Sequence, residues 1–406
     1  MRRNALKQVR GGITAPLGFL AAGIHAGIKK PSIPDLALIV SVQEGPIAGV
    51  FTTNRVVAAP VLVDRAHLRR GRGRAVIVNS GCANAFTGAQ GLTDAKEMAA
   101  LVARRLGVPS HTVFVASTGV IGGPLPMTKI RRGVPLVLKR VRRQGGVEAA
   151  RAIMTTDTRL KQIALQTRIA GRTVTVGGMA KGSGMIHPDM ATMLAFLTTD
   201  AAVPQPALQR ALRTAVVQSF NCISVDGDTS TNDTVLCLAN GLAGHPPLRE
   251  QSRGFGAFQR LLNEACLSLA LQVCRDGEGA TKLVRIHVTG ARREAEARQV
   301  AHTVATSCLV KTALFGEDAN WGRIMAAVGR SGVPIDQRRI TLSFGDVPIA
   351  MKGGTLGRAS ERRIARIVRR REFTIEIGLG QGSAAAQVWT TDLSYDYVKI
   401  NASYRT

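Results

Sequence analysis

Apolar positions along the chain follow two rhythms. Short runs rich in β-branched residues, bounded by turn residues, predict strands over 36–42, 75–79, 112–116, 173–176, 283–288, 340–344 and 373–377. Between them, apolar residues recur at three- and four-residue spacing, which predicts amphipathic helices. One runs from a Thr93 cap through Arg105 with Met98, Leu101 and Val102 on one face; others cover 207–219, 258–273 and 312–328. In SERRIARIVRRREF (360–373), Ile364, Ile367 and Val368 share a helical face and leave the arginines on the other, the pattern of a solvated amphipathic helix. Strands and helices interleave, so the chain reads as α/β or α+β rather than all-β.

Composition narrows the class. The 406 residues suit roughly two or three domains, and a 45% apolar share supplies a sizeable core, which excludes a disordered chain, a coiled coil or a disulfide-stapled mini-protein. A net charge of +27, mostly from arginine, invites a nucleic-acid or anionic-surface reading. Aromatics make up only 4% of residues, leaving few stacking partners for bases. The clusters RRGRGR (69–74) and KRVRR (139–143) therefore read as loop or helix-end groups on an arginine-rich surface, and nucleic acid is not an expected partner.

Cys82, Cys222, Cys237, Cys266, Cys274 and Cys308 lie apart among apolar or small residues, and the seven histidines are equally dispersed. This predicts free buried thiols in a reducing compartment and no metal site. No stretch reaches the length of about eighteen apolar residues that a membrane span needs. The basic N-terminus is followed by a mildly apolar run that Gly11, Gly12, Pro16 and His25 interrupt, unlike a signal peptide. A cytoplasmic protein is expected.

The densest unusual segment is GGMAKGSGMIHPDMATMLAFLTTD, over 177–200. It lacks the Gly-Lys-Ser/Thr ending of a phosphate loop, and Ser183 lacks the flanking pattern of a nucleophile elbow. On spacing alone, Thr192 reads as a buried hydroxyl bonded to backbone, and Thr118 and Gly119 as a strand-end turn. Lys181 and Glu278 read as charges facing solvent.

This segment closely resembles the self-cleavage segment of the ornithine acetyltransferase / glutamate N-acetyltransferase family, the ArgJ type of arginine biosynthesis. NSGCANAFTG (79–88), STGVIG (117–122), MTTDT (154–158), SVDGDTSTNDTV (224–235), DGEGATK (276–282), LVKTALFGEDANWGRI (309–324) and the terminal YVKINASYRT look like further family blocks in family order. The likeness runs from GITAPLGF near the start to the last residue.

The resemblance implies a layered helix/sheet sandwich of the ArgJ/DmpA-like type, with a catalytic unit over 1–282 and a smaller C-terminal α/β domain over 283–406. It also implies self-cleavage between Ala191 and Thr192 into chains 1–191 and 192–406, associated as a heterotetramer of two of each. Thr192 would be the nucleophile and, once cut, its α-amine the base, so no histidine is needed. His187 reads as a structural hydrogen-bonder. Thr118 and Gly119 would form the oxyanion hole, and Thr155, Lys181, Thr192, Glu278, Asn401 and Thr406 would contact substrate. The implied reaction moves acetyl from N-acetylornithine to glutamate by ping-pong exchange. No metal or bound cofactor is implied; some relatives also take acetyl from acetyl-CoA as a co-substrate. A self-cleaving amidase or aminopeptidase on a related scaffold is the alternative.

Departures from the family pattern are few. Cys82 stands where asparagine is common, Phe86 where a small residue or cysteine is usual, and Ser307-Cys308 where Ser-Pro is typical. Ser403 replaces a frequent acidic residue two positions after Asn401, which bears on substrate affinity. The positive charge is also unusual, and would attract anionic glutamate.

Overall fold

A computed structural model describes residues 5–187, 193–351 and 353–403. Its elements form two sheets with helices packed against them. All seven predicted strands are present, several longer than their apolar runs: 36–42 opens the strand Leu36–Phe51, and 75–79 lies inside Arg72–Cys82. The nine-stranded sheet runs in the order Lys7–Gln8, Lys161–Ile169, Arg172–Lys181, Leu194–Thr199, Thr234–Ala239, Leu36–Phe51, Arg72–Cys82, Val113–Val120. Phe19–Ile24 also pairs antiparallel with the first half of Leu36–Phe51, whose second half pairs with Thr234–Ala239. The long strand changes partners at Gly45, where a side chain would run into the Ala239 carbonyl.

The second sheet runs Gly354–Thr355, Val347–Met351, Thr341–Phe344, Glu372–Gly378, Leu283–Ala291, Ala384–Thr391, Ile223–Ser224. Most of it follows residue 282, but Ile223–Ser224 comes from the earlier part of the chain and pairs parallel with Ala384–Thr391.

Apolar helix faces form the cores. Phe258, Leu262 and Leu269 of Phe255–Arg275 pack with Ile163, Val176 and Leu197 of the large sheet. Met98 and Val102 of Gly88–Leu106 meet Leu38 and Ile77. Ile364, Ile367 and Val368 of Arg358–Val368 are buried with Phe344 and Ile375, while Arg362, Arg363 and Arg366 are exposed, as the spacing predicts.

Three local readings are corrected. Gly88–Leu106 begins before Thr93, whose hydroxyl instead donates to the Ala89 carbonyl inside the helix. The predicted helix over 312–328 is two helices, Cys308–Phe315 and Trp321–Gly329. Gly316 ends the first, and the Asn320 side chain caps the second by accepting from the Arg323 N–H. Five cysteines are buried and all six are free, but Cys308 is exposed because it opens a helix at the surface. No helix among the described residues is long and apolar enough to cross a membrane.

Candidate active site

The site begins where two parallel strands end together. Arg72–Cys82 and Val113–Val120 pair from Ala75 opposite Val113 to Gly81 opposite Gly119, where the register shifts. Gly119 adopts φ +132, and a Cβ there would sit 2.6 Å from the Cys82 nitrogen. Only glycine fits this conformation and this close approach. Asn232 fixes the strand end from the other side, its Nδ2 donating to the Ala83 and Ser117 carbonyls at 2.7 and 2.9 Å.

Lys181 closes the strand Arg172–Lys181 and is 4% exposed. Its Nζ donates to Thr155 Oγ1 at 2.8 Å and to Thr118 Oγ1 at 3.2 Å. Because an ammonium only donates, both threonine oxygens act as acceptors here, so both hydroxyl hydrogens are free to point into the cavity. One of the three ammonium hydrogens also remains for a ligand.

Behind Lys181 runs a buried chain of alternating charge. Lys161 Nζ lies 2.6 Å from Asp157 and 2.5 Å from Asp276, and all three are nearly fully buried. Asp157 also accepts from the Thr155 and Gly182 N–H groups, at 2.9 and 2.7 Å. Burial alone would raise its carboxyl, but Lys181, Lys161 and these bonds outweigh it and bring it to about 2. Burial lowers Lys181, against the opposing pull of Asp157.

The opposite wall is acidic. Glu278 lies against Gly184, where a Cβ would come within 2.5 Å of its Cδ. Asn401, on the terminal helix Tyr395–Ser403, donates to Glu278 Oε2 at 2.9 Å. The C-terminal helix thus packs over the site. Asp226 accepts from the Met185 and Ile186 N–H groups at 2.5 and 2.8 Å, and from the Tyr397 hydroxyl at 3.3 Å.

Burial raises Asp226 to about 6, with Asp228 pushing the same way against the N–H groups that favour the charge. A carboxyl raised on folding adds stability below its unfolded value near 4 and loses it as pH rises through the folded value. Urea melts should therefore show the wild type losing about 3 kcal/mol relative to Asp226→Asn between about pH 4 and about pH 7. A pH-independent difference would refute this assignment.

These walls enclose a cavity of about 220 Å³. Six residues implied by the family resemblance line it: Thr118, Gly119, Thr155, Lys181, Glu278 and Asn401. Ala191, Thr192 and Thr406 lie outside the described residues. The disulphide-free chain arranges no metal-binding group of three or more His, Cys, Asp or Glu among the described residues. His187 stands apart, its Nδ1 3.2 Å from Ser224 Oγ and its ring edge-on to His302.

Asp226, Asp228, Asn232 and Tyr397 also line the cavity without having been singled out from sequence. The signal for the first three was there: carboxylates and amides crowded into the Gly-containing stretch 224–235. Asp157 likewise sits in MTTDT, but only the fold shows that it holds both Thr155 and Gly182.

Comparison with known proteins identifies the family. The ArgJ family profile matches residues 20–406. The arginine biosynthesis bifunctional protein ArgJ of Symbiobacterium thermophilum is 51% identical over 99% of this chain and 100% of that protein. Its counterpart in Geobacter sulfurreducens is 52% identical over 96% and 99%. The crystal structure of the arginine biosynthesis bifunctional protein argJ from Bacillus halodurans, 42% identical, superposes with a TM-score of 0.50 and covers 52% of this chain and 98% of its own. By sequence over nearly its whole length, the chain belongs to the ArgJ family of bifunctional arginine-biosynthesis proteins.

Proposed function

We propose that the chain cuts itself between Ala191 and Thr192 and then carries acetyl from N-acetylornithine to glutamate on the Thr192 hydroxyl. The observation that carries this reading is the single cavity that gathers Thr118, Gly119, Thr155, Lys181, Glu278 and Asn401 from five distant parts of the sequence. It combines a cation for a carboxylate, an anion for an ammonium and free hydroxyls within a space of amino-acid size.

In the cut, the Thr192 hydroxyl attacks the Ala191 carbonyl to give an ester, and water releases the two chains. The freed α-amine has an ordinary pKa of roughly 7.7–8.0, so a useful fraction is neutral near pH 7 and accepts the hydroxyl proton. The hydroxyl then takes acetyl from N-acetylornithine, ornithine leaves, and the glutamate amine attacks the acetyl ester. At each step negative charge grows on a carbonyl oxygen, and the Gly119 N–H and Thr118 O–H are the donors we assign to it. Lys181 offers its remaining hydrogen to a substrate carboxylate, and Glu278, oriented by Asn401, receives an ammonium. Thr406 joins the substrate contacts in this reading.

The fold keeps both products together. Leu194–Thr199 and Thr234–Ala239, from the second chain, lie between Arg172–Lys181 and Leu36–Phe51, from the first, within one sheet. The half-length chain of the Bacillus halodurans structure supports a cut near the middle. The assembly of two cut pairs in the cytoplasm rests on the family resemblance. Acetyl-CoA as a second donor is supported by the relatives' description as bifunctional.

Incubation with N-acetylornithine, with and without glutamate, tests the reaction. Glutamate-dependent formation of N-acetylglutamate is expected, with little free acetate in its absence; equal acetate release in both arms would identify a hydrolase. The oxyanion assignment has its own test. Gly119→Ala should lower kcat about 10²–10³-fold, since the added methyl displaces the strand end that aims the N–H. Wild-type kcat in that variant would remove Gly119 from the mechanism.

A further inference from the structure

We propose that the hollow between 29–34 and 151–160 binds the phosphate-bearing nucleotide end of acetyl-CoA and holds this donor beside the catalytic cavity. The inference rests on the reading of acetyl-CoA as a second donor and adds the place where it binds.

Size sets the problem. The catalytic cavity, at about 220 Å³, has room for an amino acid. Larger organic ligands fill about 300–1,000 Å³, so the nucleotide of acetyl-CoA has to lie outside it. The hollow measures about 630 Å³ and shares the Thr155 wall with the cavity. Three other hollows on the molecule share no lining residue with the cavity.

Charge selects the same place. Lys29, Arg151 and Arg159 line the hollow. Arg151 and Arg159 are exposed, and among the described residues neither guanidinium has a hydrogen-bond or ion-pair partner. Lys29 is half-buried and its Nζ donates to the Met154 carbonyl at 2.8 Å, which leaves two ammonium hydrogens for a ligand. The nearby carboxylates are already committed. Asp35 accepts from the Ala26, Ile28 and Lys29 N–H groups, and Asp157 from Lys161 and the Thr155 and Gly182 N–H groups. Burial lowers Lys29 to about 8, with Lys181 pushing the same way against Asp35 and Asp157. A bound anion would favour its charged form. The other hollows differ. Arg338 pairs with Asp336 beside one, and Arg298 with Glu294 beside another.

The ligand's chemistry matches this lining. The nucleotide end of acetyl-CoA carries a pyrophosphate and a separate ribose phosphate, which guanidinium groups bind through paired N–H bonds. Its adenine needs an apolar surface, and Ile33, Pro34, Met154 and Leu160 provide one. The Lys29 stem lies against Gly81, where a Cβ would come 2.9 Å from its Cγ, and Gly81 pairs with Gly119 at the strand end. The hollow is therefore anchored to the element that carries the assigned oxyanion donor. From it the donor's flexible arm passes over Thr155 toward the cavity. There the thioester C–S bond breaks as the acetyl ester forms, and the nucleophile's hydroxyl proton ends on the departing thiol.

The test compares two donors at saturating glutamate, using the full chain with Arg151→Glu and Arg159→Glu combined. KM for acetyl-CoA should rise at least about 10-fold, while kcat and KM with N-acetylornithine stay within about 2-fold of wild type. Arg151→Lys with Arg159→Lys keeps the charge and should recover most of the acetyl-CoA affinity. In the wild type, adenosine 3′,5′-bisphosphate should compete with acetyl-CoA and not with N-acetylornithine. An unchanged KM for acetyl-CoA in the glutamate pair would overturn the proposal, as would an equal rise for both donors. Equal competition by inorganic phosphate would make the hollow a plain anion site and overturn the assignment to a nucleotide. A wild type that takes no acetyl from acetyl-CoA would overturn the second-donor reading and this site with it, while transfer from N-acetylornithine would stand.

Discussion

Replacing Thr192 by alanine is expected to leave one uncut chain of 43.0 kDa and to lower acetyl transfer by a factor of order 10⁶. Two losses coincide. In the proposed mechanism the hydroxyl that would open the Ala191 carbonyl is gone, and without that cut no α-amine is freed to act as base. The proposed oxyanion donors and substrate contacts remain, but they would stabilise a transition state that no longer has a nucleophile. Thr192→Ser keeps the hydroxyl and should still process, more slowly, and recover measurable transfer. Denaturing electrophoresis and a glutamate acetylation assay on the same samples check both variants; full activity in the alanine variant would contradict the scheme.

The second large effect concerns stability. Lys161→Met should destabilise the protein by about 3–5 kcal/mol, read from urea unfolding, because it removes the cation shared by Asp157 and Asp276. Both carboxylates are nearly fully buried, so water cannot replace the lost partner. The damage spreads to the site. Asp276 holds the Thr158 and Arg159 N–H groups, and Asp157 holds those of Thr155 and Gly182. Lys181 would keep one cation near Asp157 but would be drawn from the threonines it orients. A loss under about 1 kcal/mol would mean that the pair is replaceable and the network does not set the site.

Much of the fold is legible from residue patterning, because its elements carry strong local signals. The run LALIV opens a strand that is buried at each of those positions, and Ile364, Ile367 and Val368 mark the inner face of their helix. The strands Leu194–Thr199 and Thr234–Ala239 escape such reading. Both are buried at every position, so their six residues show no alternation of polar and apolar groups. The break at Gly316 is also hidden, since helical spacing on both sides passes across it.

The site divides in the same way. Thr118, Gly119, Lys181 and Glu278 stand in segments whose resemblance to a known family names them, and the fold brings them to one cavity. Asp157, Asp226 and Tyr397 have meaning only in three dimensions. Asp157 is defined by two lysines, one four and one twenty-four residues away, and Tyr397 meets Asp226 at a sequence separation of 171. No local pattern announces such a pairing, because it is burial and approach that give these groups their chemistry.

N-terminal sequencing of the purified, active wild-type protein after denaturing electrophoresis tests the central claim most directly. The expected result is two fragments of about 20 and about 23 kDa, the larger beginning at Thr192 and gaining one acetyl group on exposure to N-acetylornithine. A single unbroken polypeptide with full transferase activity would contradict the account, since the proposed base would not exist.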